Sequence, residues 1–233
     1  MDNLAGDMVQ WVRDEVNKAG AKGVVLGLSG GIDSSVTAIL CKEAFPDTTL
    51  VLIMPCINDP MDVKHAKLIA KEFGIETKTI DLTKTFGEMV RELGADEEGI
   101  PSANLKPRLR MAALYYFANK MHYLVVGTCN KTERKIGYFT KYGDGGADIL
   151  PLGDLLKGDV IDLAEHLGIP PEIMDKAPSA GLWRGQTDEG EIGLSYDELD
   201  AIVSGKKEND RIKRMIEESE HKRKPIPVCR IKR

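Results

Sequence analysis

Residues 29–35, with the sequence SGGIDSS, carry the clearest chemical signal in the chain. They follow a short apolar run at residues 24–28, which is typical of a buried parallel strand, and they precede apolar positions with helical spacing. A turn between a strand and a helix gathers backbone N–H groups and the positive end of the helix dipole. Gly30 and Gly31 allow an anion to approach the backbone closely, and the serines add hydroxyl donors. The stretch therefore predicts an anion-binding site.

Asp33 is an acid inside this predicted anion site. A divalent cation that bridges the carboxylate to phosphate oxygens would explain its presence, and helix capping is the alternative. Two better-known phosphate loops do not fit: the P-loop needs a Lys after its glycines, and the dinucleotide fingerprint needs Gly-x-Gly-x-x-Gly. Residues 27–35 supply neither pattern. The sequence thus favours a different phosphate loop, with a metal ion at Asp33.

Alternating strands and helices surround this loop and predict an α/β fold. Strands are expected at residues 24–28, 49–54, 76–82 and 123–128, and helices at 4–19, 33–45, 62–73, 83–94, 104–121, 156–167, 196–203 and 208–219. The alternation implies a parallel sheet with helices on both faces and right-handed crossovers. Ligands bind such sheets outside the carboxyl ends of the strands, which here are Ser29, Pro55 and Thr128.

The regular pattern stops between residues 129 and 157, where the chain is polar and rich in glycine. Irregular segments of this length in compact domains are often functional. A second polar loop is expected at residues 175–193, and an acidic loop at residues 94–101. We expect the first two loops to supply site residues.

Composition narrows the class of protein. The chain has 233 residues, 42% hydrophobic and 30% charged, which predicts one domain over residues 1–233. The net charge of −5 argues against a general nucleic-acid surface, and no apolar stretch is long enough to span a membrane. The start of the chain lacks the features of a signal peptide, and four scattered cysteines indicate reduced thiols. A cytoplasmic location is expected.

Several motifs together resemble a known family. Residues 29–34 resemble the Ser-Gly-Gly-x-Asp-Ser loop of the N-type ATP pyrophosphatases. Further segments, in family order, resemble the NAD synthetase family: NLKPRLRM at 104–111, GT at 127–128 with Glu133, KYGDGGAD at 141–148 with Lys157, QTDE at 186–189, LSYDE at 194–198 and HKR at 221–223. The resemblance covers nearly the whole chain. It implies a Rossmann-like fold of the adenine nucleotide alpha hydrolase type.

The resemblance also implies a reaction. Members of the family are ligases that amidate nicotinic acid adenine dinucleotide (deamido-NAD) with ammonia. The substrate carboxylate attacks the α-phosphate of ATP, which gives an acyl-adenylate and pyrophosphate, and ammonia then displaces AMP. Because ATP and the substrate are both polyanions, their approach requires charge neutralisation.

The implied site residues fall into four sets. ATP is expected at Ser29, Gly30, Gly31, Ile32, Asp33, Ser34, Ser35, Thr128, Lys157 and Thr187. Deamido-NAD is expected at Asn104, Arg108, Lys141, Asp144, His221 and Lys222. Mg²⁺ is expected at Asp33 and Glu133. Asp33, Asp144 and Lys157 are the expected catalytic residues, with Asp144 beside the ammonia site and Lys157 on the triphosphate.

One departure and several alternatives accompany the resemblance. Many members carry an Arg and a Gln after the second strand, but residues 52–59 contain neither, so the adenine contacts are open. The family implies a homodimer with the helix at 104–121 in its interface. A different adenylating pyrophosphatase and a nucleotide-binding regulator are the alternative functions. No amidotransferase segment is found, so glutamine would require a partner chain.

Overall fold

A computed structural model describes residues 1–57, 59–183 and 185–231. Its centre is a parallel sheet of four strands in the order β3-β2-β1-β4. The strands are β1 Val24–Gly27, β2 Thr49–Ile53, β3 Thr77–Thr79 and β4 Leu124–Val125. In the register of the sheet, Val24 lies between Thr49 and Leu124. The predicted parallel α/β fold is confirmed.

Helices connect and cover the strands. The α-helices of the described residues are α1 Asp2–Lys18, α2 Ile32–Ala44, α3 Pro60–Glu72, α4 Thr83–Glu92, α5 Ile100–Ala103, α6 Leu105–Met121, α7 Lys131–Ile136, α8 Lys157–His166, α9 Pro171–Met174, α10 Asp188–Ile192, α11 Tyr196–Val203 and α12 Asp210–Glu218. A 3₁₀ turn at Glu220–Lys222 follows. Within the described ranges, no helix has the length and apolarity needed to traverse a lipid bilayer.

Both faces of the sheet are buried, because successive apolar side chains of a strand point to opposite faces. Val24 and Leu26 point into one core, which α1, α2 and α8 complete. Val25 points into the opposite core, where Phe86 of α4 is fully buried. A third group, the C-terminal cluster, packs α7, α10, α11 and α12 together away from the sheet and consists of Ile136, Ile192, Tyr196, Leu199 and Ile212.

The irregular segments contain more helix than the sequence pattern indicates. The expectation of no regular structure across residues 129–157 is wrong, because α7 lies within it. Asn130 caps this helix: its side chain accepts from the backbone of Glu133, and Glu133 accepts from the backbone of Asn130. Short helices of this kind, including α10 in the second loop, have too few turns to show periodicity.

The outer strands are shorter than expected. β3 covers three residues of the predicted 76–82, and β4 covers two of the predicted 123–128. Both lie at the edges of the sheet, where only one neighbour supplies hydrogen bonds. Beyond β4 the chain pairs at Val126 with Ile149, so part of the glycine-rich segment runs beside the sheet.

Candidate active site

A cavity of about 420 Å³ opens at the carboxyl ends of β1, β2 and β4. Its walls include residues 27–29, 52–55 and 125–129, so it lies where ligands of parallel sheets are expected. Side chains from α6, α7, α8 and α10 complete the lining. The predicted phosphate loop, Asp144 and Lys157 therefore meet at one cavity although they are far apart in sequence.

The phosphate loop is held by its own serines. The hydroxyls of Ser29 and Ser34 lie 2.9 Å apart, and the backbone N–H of Gly31 donates to Ser29 Oγ over 3.2 Å. Ser29, Gly31, Ile32, Asp33 and Ser34 line the cavity. Ser35 is fully buried, and its hydroxyl donates to the carbonyl of Gly31. The structure therefore gives Ser35 a role in shaping the loop.

Gly30 is the position in this loop where a side chain is excluded. Its φ is +80°, and a Cβ there would lie 2.3 Å from the carbonyl oxygen of Asp62. Gly30→Ala is therefore expected to lower the free energy of unfolding by at least about 2 kcal/mol, measured by urea denaturation. Gly31→Ala is the matched control, since its φ is −95° and the nearest atom to its Cβ is 3.4 Å away. Equal effects of the two changes would contradict the assignment.

Asp33 and Lys157 form the central ion pair of the cavity. Lys157 Nζ lies 2.5 Å from Asp33 Oδ2, and the Lys157 side chain is only 2% exposed. The other Asp33 oxygen accepts from the side-chain amide of Asn130 over 2.9 Å. Burial lowers the pKa of Lys157, but the carboxylates of Asp33 and Glu133 raise it by more. Lys157 is therefore a cation facing the phosphate loop.

Asp200 holds the backbone that carries Lys157. The carboxylate of Asp200, on α11, accepts from the N–H groups of Lys157 and Gly158 at the start of α8. It also accepts from the hydroxyl of Thr132 on α7. One carboxylate thus caps α8 and ties it to the helix that carries Glu133.

Glu133 lies beside this pair. Its Oε2 accepts from the backbone of Asn130 over 3.2 Å, and its Oε1 lies 3.4 Å from the hydroxyl of Tyr196. Burial and the charge of Asp33 raise the pKa of Glu133 to about 8. No group of three potential ligands among His, Cys, Asp and Glu is found in the part of the chain that the structure describes. The carboxylates of Asp33 and Glu133 line the same cavity, and this donor set fits Mg²⁺, which takes one or two carboxylates together with phosphate oxygens and water.

The raised pKa of Glu133 predicts a pH effect on stability. Its ordinary value is 4.5, so between about pH 4.5 and 8 the folded chain binds a proton that the unfolded chain releases. The contribution of Glu133 to stability is therefore present at low pH and is lost as pH rises towards 8. Urea denaturation from pH 5 to 8 is expected to show a steeper decline in the wild type than in Glu133→Gln. Parallel profiles would contradict this expectation.

Asp144 faces the cavity from the glycine-rich segment. The backbone N–H of Thr140 donates to its Oδ1 over 2.9 Å. Enclosure raises the pKa of Asp144, while the bond from Thr140 and the charge of Arg110 lower it. Arg110 lines the same wall, and its Nε donates to the carbonyl of Met54 at the end of β2. The motif at 104–111 contained Arg110, but no role was predicted for it.

The residues expected to bind deamido-NAD divide into two groups. Asn104, Lys222 and Asp144, described above, line the cavity: Asn104 Oδ1 accepts from the hydroxyl of Thr140, and Lys222 donates to the carbonyls of Gly137 and Phe139. The other three lie outside the lining but are joined to one another. Arg108 donates to the carbonyl of Lys141, and Lys141 Nζ lies 3.3 Å from His221 Nδ1.

Thr128 and Thr187 have different positions. Thr128 lines the cavity at the end of β4. Thr187 does not line it, and its hydroxyl accepts from Gly190 as the cap of α10. The next residue, Asp188, does line the cavity and is 4% exposed. Asp188 belongs to the QTDE motif at 186–189, but the sequence did not predict that its side chain is buried.

A sequence model of the family described as NAD synthase matches residues 4–226. The chain belongs to the NAD synthase family. A curated relative, the NH(3)-dependent NAD(+) synthetase of Finegoldia magna, is 46% identical over 224 residues, which cover 95% of this chain and 93% of the relative. The family resemblance inferred from the motifs is therefore confirmed.

Solved structures place the chain in the same family. The structure of NMN synthetase from Francisella tularensis has a TM-score of 0.94 and 38% identity, and the match covers 99% of this chain and 98% of that one. The NH3-dependent NAD synthetase of Campylobacter jejuni, in complex with the nitrate ion, has a TM-score of 0.80 and 26% identity, with 98% of each chain covered. The NAD synthase fold thus extends across the described chain.

Proposed function

We propose that this chain is an ammonia-dependent NAD synthetase, a ligase that amidates deamido-NAD at the expense of ATP. The observation that carries the proposal is the convergence of the phosphate loop, the Asp33–Lys157 pair and Asp144 on one cavity. We also infer that residues 1–233 act as one domain in the cytoplasm. The free cysteines Cys41, Cys56, Cys129 and Cys229 support that location.

Adenylation is the first step. A carboxylate oxygen of the substrate attacks the α-phosphorus of ATP, and the bond from that phosphorus to pyrophosphate breaks. Ser29, Ser34 and the N–H groups of the loop would hold the departing pyrophosphate, while Lys157 offsets its negative charge. Asp33 and Glu133 would hold Mg²⁺, which supplies further charge neutralisation when it is bound.

Amidation is the second step. The nitrogen of ammonia attacks the acyl carbon, the bond to AMP breaks, and the new amide nitrogen loses a proton. Asp144 would accept a hydrogen bond from ammonia and then receive that proton. The raised pKa of Asp144 makes it a better base than an ordinary aspartate. The nucleotide half of the substrate would lie along Asn104 and Lys222, with Arg108, Lys141 and His221 outside the cavity for its phosphates.

A homodimer through α6 completes the proposal. This helix exposes an aromatic side chain: Tyr116 is 60% exposed, and its ring packs edge-on against that of Phe117 with the centroids 5.1 Å apart. We expect sedimentation analysis to show a dimer that Tyr116→Glu weakens at least about tenfold in dissociation constant. Trp11→Glu, at a 40% exposed position on α1, is the control and is expected to leave the dimer intact. A monomeric wild type would contradict the proposal.

The likeness to NMN synthetase supports a second candidate function. NMN lacks the adenylate half of NAD. In the precursors of both products, however, the carboxylate that must be activated is on the same pyridine ring. The phosphate loop, Lys157 and Asp144 would act identically on nicotinic acid mononucleotide. The two candidates therefore differ only in the part of the substrate that lies away from the reacting carboxylate.

Mass spectrometry of the products tests both candidates. The purified chain receives ATP and Mg²⁺ with either deamido-NAD or nicotinic acid mononucleotide, and with either ammonium or glutamine. We expect NAD and one AMP per NAD, from ammonium only, at a higher kcat/KM than for the mononucleotide. Preference for the mononucleotide would favour the second candidate. Absence of AMP with both substrates would overturn the synthetase assignment.

A further inference from the structure

Tyr196 contacts three charged groups of the candidate site. Its hydroxyl lies 2.9 Å from Asp188 Oδ2 and 3.4 Å from Glu133 Oε1. Its ring lies under the ammonium of Lys157, with Nζ 5.0 Å from the ring centroid. The side chain is 5% exposed and belongs to the C-terminal cluster, so packing fixes the position of the hydroxyl.

Asp188 is the stronger partner of this hydroxyl. A tyrosine hydroxyl has one proton, which two acceptors can share; Asp188 at 2.9 Å is the nearer acceptor and Glu133 at 3.4 Å is the weaker one. Asp188 is itself fixed, because its Oδ1 accepts from the backbone of Ala180 and its own N–H donates to the carbonyl of Pro178. Pro178 and Ala180 line the cavity. The hydroxyl is therefore anchored to the segment that covers one side of the site.

Glu133 receives one contact on each carboxylate oxygen. The contact at Oε2 comes from Asn130 and belongs to the cap of the same helix. The contact at Oε1 comes from Tyr196 on α11, a different element. Without the hydroxyl, the carboxylate would keep the capping contact but could rotate at its other oxygen. The second contact therefore restrains the Glu133 carboxylate from an element other than its own helix.

We propose that Tyr196 is a positioning residue for Glu133, with Asp188 as the fixed acceptor that orients its hydroxyl. The inference rests on the proposed role of Glu133 as a carboxylate for Mg²⁺. Tyr196→Phe tests it cleanly, because phenylalanine retains the ring packing and the face beneath Lys157 while it removes the hydroxyl. Thermal unfolding of the variant checks that the fold is retained.

Two readouts are expected to change in Tyr196→Phe. The kcat for NAD formation falls about 10- to 100-fold, while KM for deamido-NAD changes little. The affinity for Mn²⁺, measured by electron paramagnetic resonance with α,β-methylene-ATP bound, falls at least about tenfold. The second readout needs no turnover, so it decides the inference whether or not the chain makes NAD.

Tyr115→Phe is the matched control. The hydroxyl of Tyr115 donates to Asp148 over the same 2.9 Å, but neither residue lines the cavity. The control is expected to leave kcat and the affinity for Mn²⁺ within about twofold of the wild type. In a Glu133→Gln background, Tyr196→Phe is expected to add little further loss, because residues that act through one another are not additive.

The outcomes separate this inference from the proposed function. A wild-type affinity for Mn²⁺ in Tyr196→Phe, or an additive loss in the double variant, would overturn the positioning role. A wild type that makes neither dinucleotide nor mononucleotide product would instead refute the proposed function. Weakened binding of Mn²⁺ in Tyr196→Phe alone, with the Tyr115 control unchanged, would support the inference.

Discussion

Lys157→Met is expected to reduce pyrophosphate release from ATP by at least about 10²- to 10³-fold. Lys157 is a buried cation paired with Asp33 of the phosphate loop, so its charge lies beside the expected position of the pyrophosphate. Methionine keeps much of the side-chain volume and removes the charge. Lys157→Arg is expected to rescue little, because a planar guanidinium does not fit a site shaped around an ammonium.

The same change is expected to destabilise the fold. Removal of Lys157 leaves the Asp33 carboxylate with the neutral side-chain amide of Asn130 as a donor, and loss of one partner of a buried pair costs about 3 kcal/mol. Lys131→Met is the control, since its pair with Asp154 is exposed to solvent and contributes little to stability. Pyrophosphate release and urea denaturation measure the two effects. Wild-type rates in Lys157→Met would refute the catalytic assignment.

Asp144→Asn is expected to separate the two half-reactions. NAD formation falls by about 10²- to 10⁴-fold, because asparagine cannot accept the proton that the amide nitrogen must lose. Adenylation continues, because the phosphate loop and Lys157 remain in place. The variant is therefore expected to release pyrophosphate with little NAD.

The ratio of NAD to pyrophosphate measures this separation. Asp148→Asn is the control: Asp148 is in the same segment but does not line the cavity, and it accepts from the hydroxyl of Tyr115 and from the backbone of Val125. Its ratio is expected to equal that of the wild type, whatever its stability. An equal fall of NAD and pyrophosphate in Asp144→Asn would place Asp144 in the first half-reaction.

Local sequence was sufficient to predict the sheet and the phosphate loop. A strand, a glycine turn and a helix are neighbours in the chain, and Gly30 marks the one turn position where a Cβ would collide. The alternation of strands and helices implied a parallel sheet and so placed the site at the carboxyl ends of its strands. Asp33 and Lys157 were found through motifs, but their ion pair joins residues 124 positions apart and was not predicted.

The remaining site residues depend on packing that no short pattern encodes. Asn130 joins Asp33 across 97 positions, and Tyr196 reaches Glu133 across 63. Asp188 and Tyr196 resemble ordinary residues at helix starts; packing in the C-terminal cluster buries Tyr196, and hydrogen bonds with Tyr196 and Ala180 hold Asp188. The chain lacks the Arg and Gln that many family members carry after β2. Arg110 of α6 instead brings a guanidinium to the end of that strand.

The small size of the C-terminal cluster predicts the order in which parts of the protein unfold on heating. It is smaller than the two cores on the sheet and packs mainly short helices, so it is expected to open locally before the sheet unfolds. Local opening would remove Tyr196 and Glu133 from Asp33 while the phosphate loop stayed folded. Loss of activity should therefore begin at a lower temperature than unfolding of the sheet. Cooling from that temperature range should restore the activity.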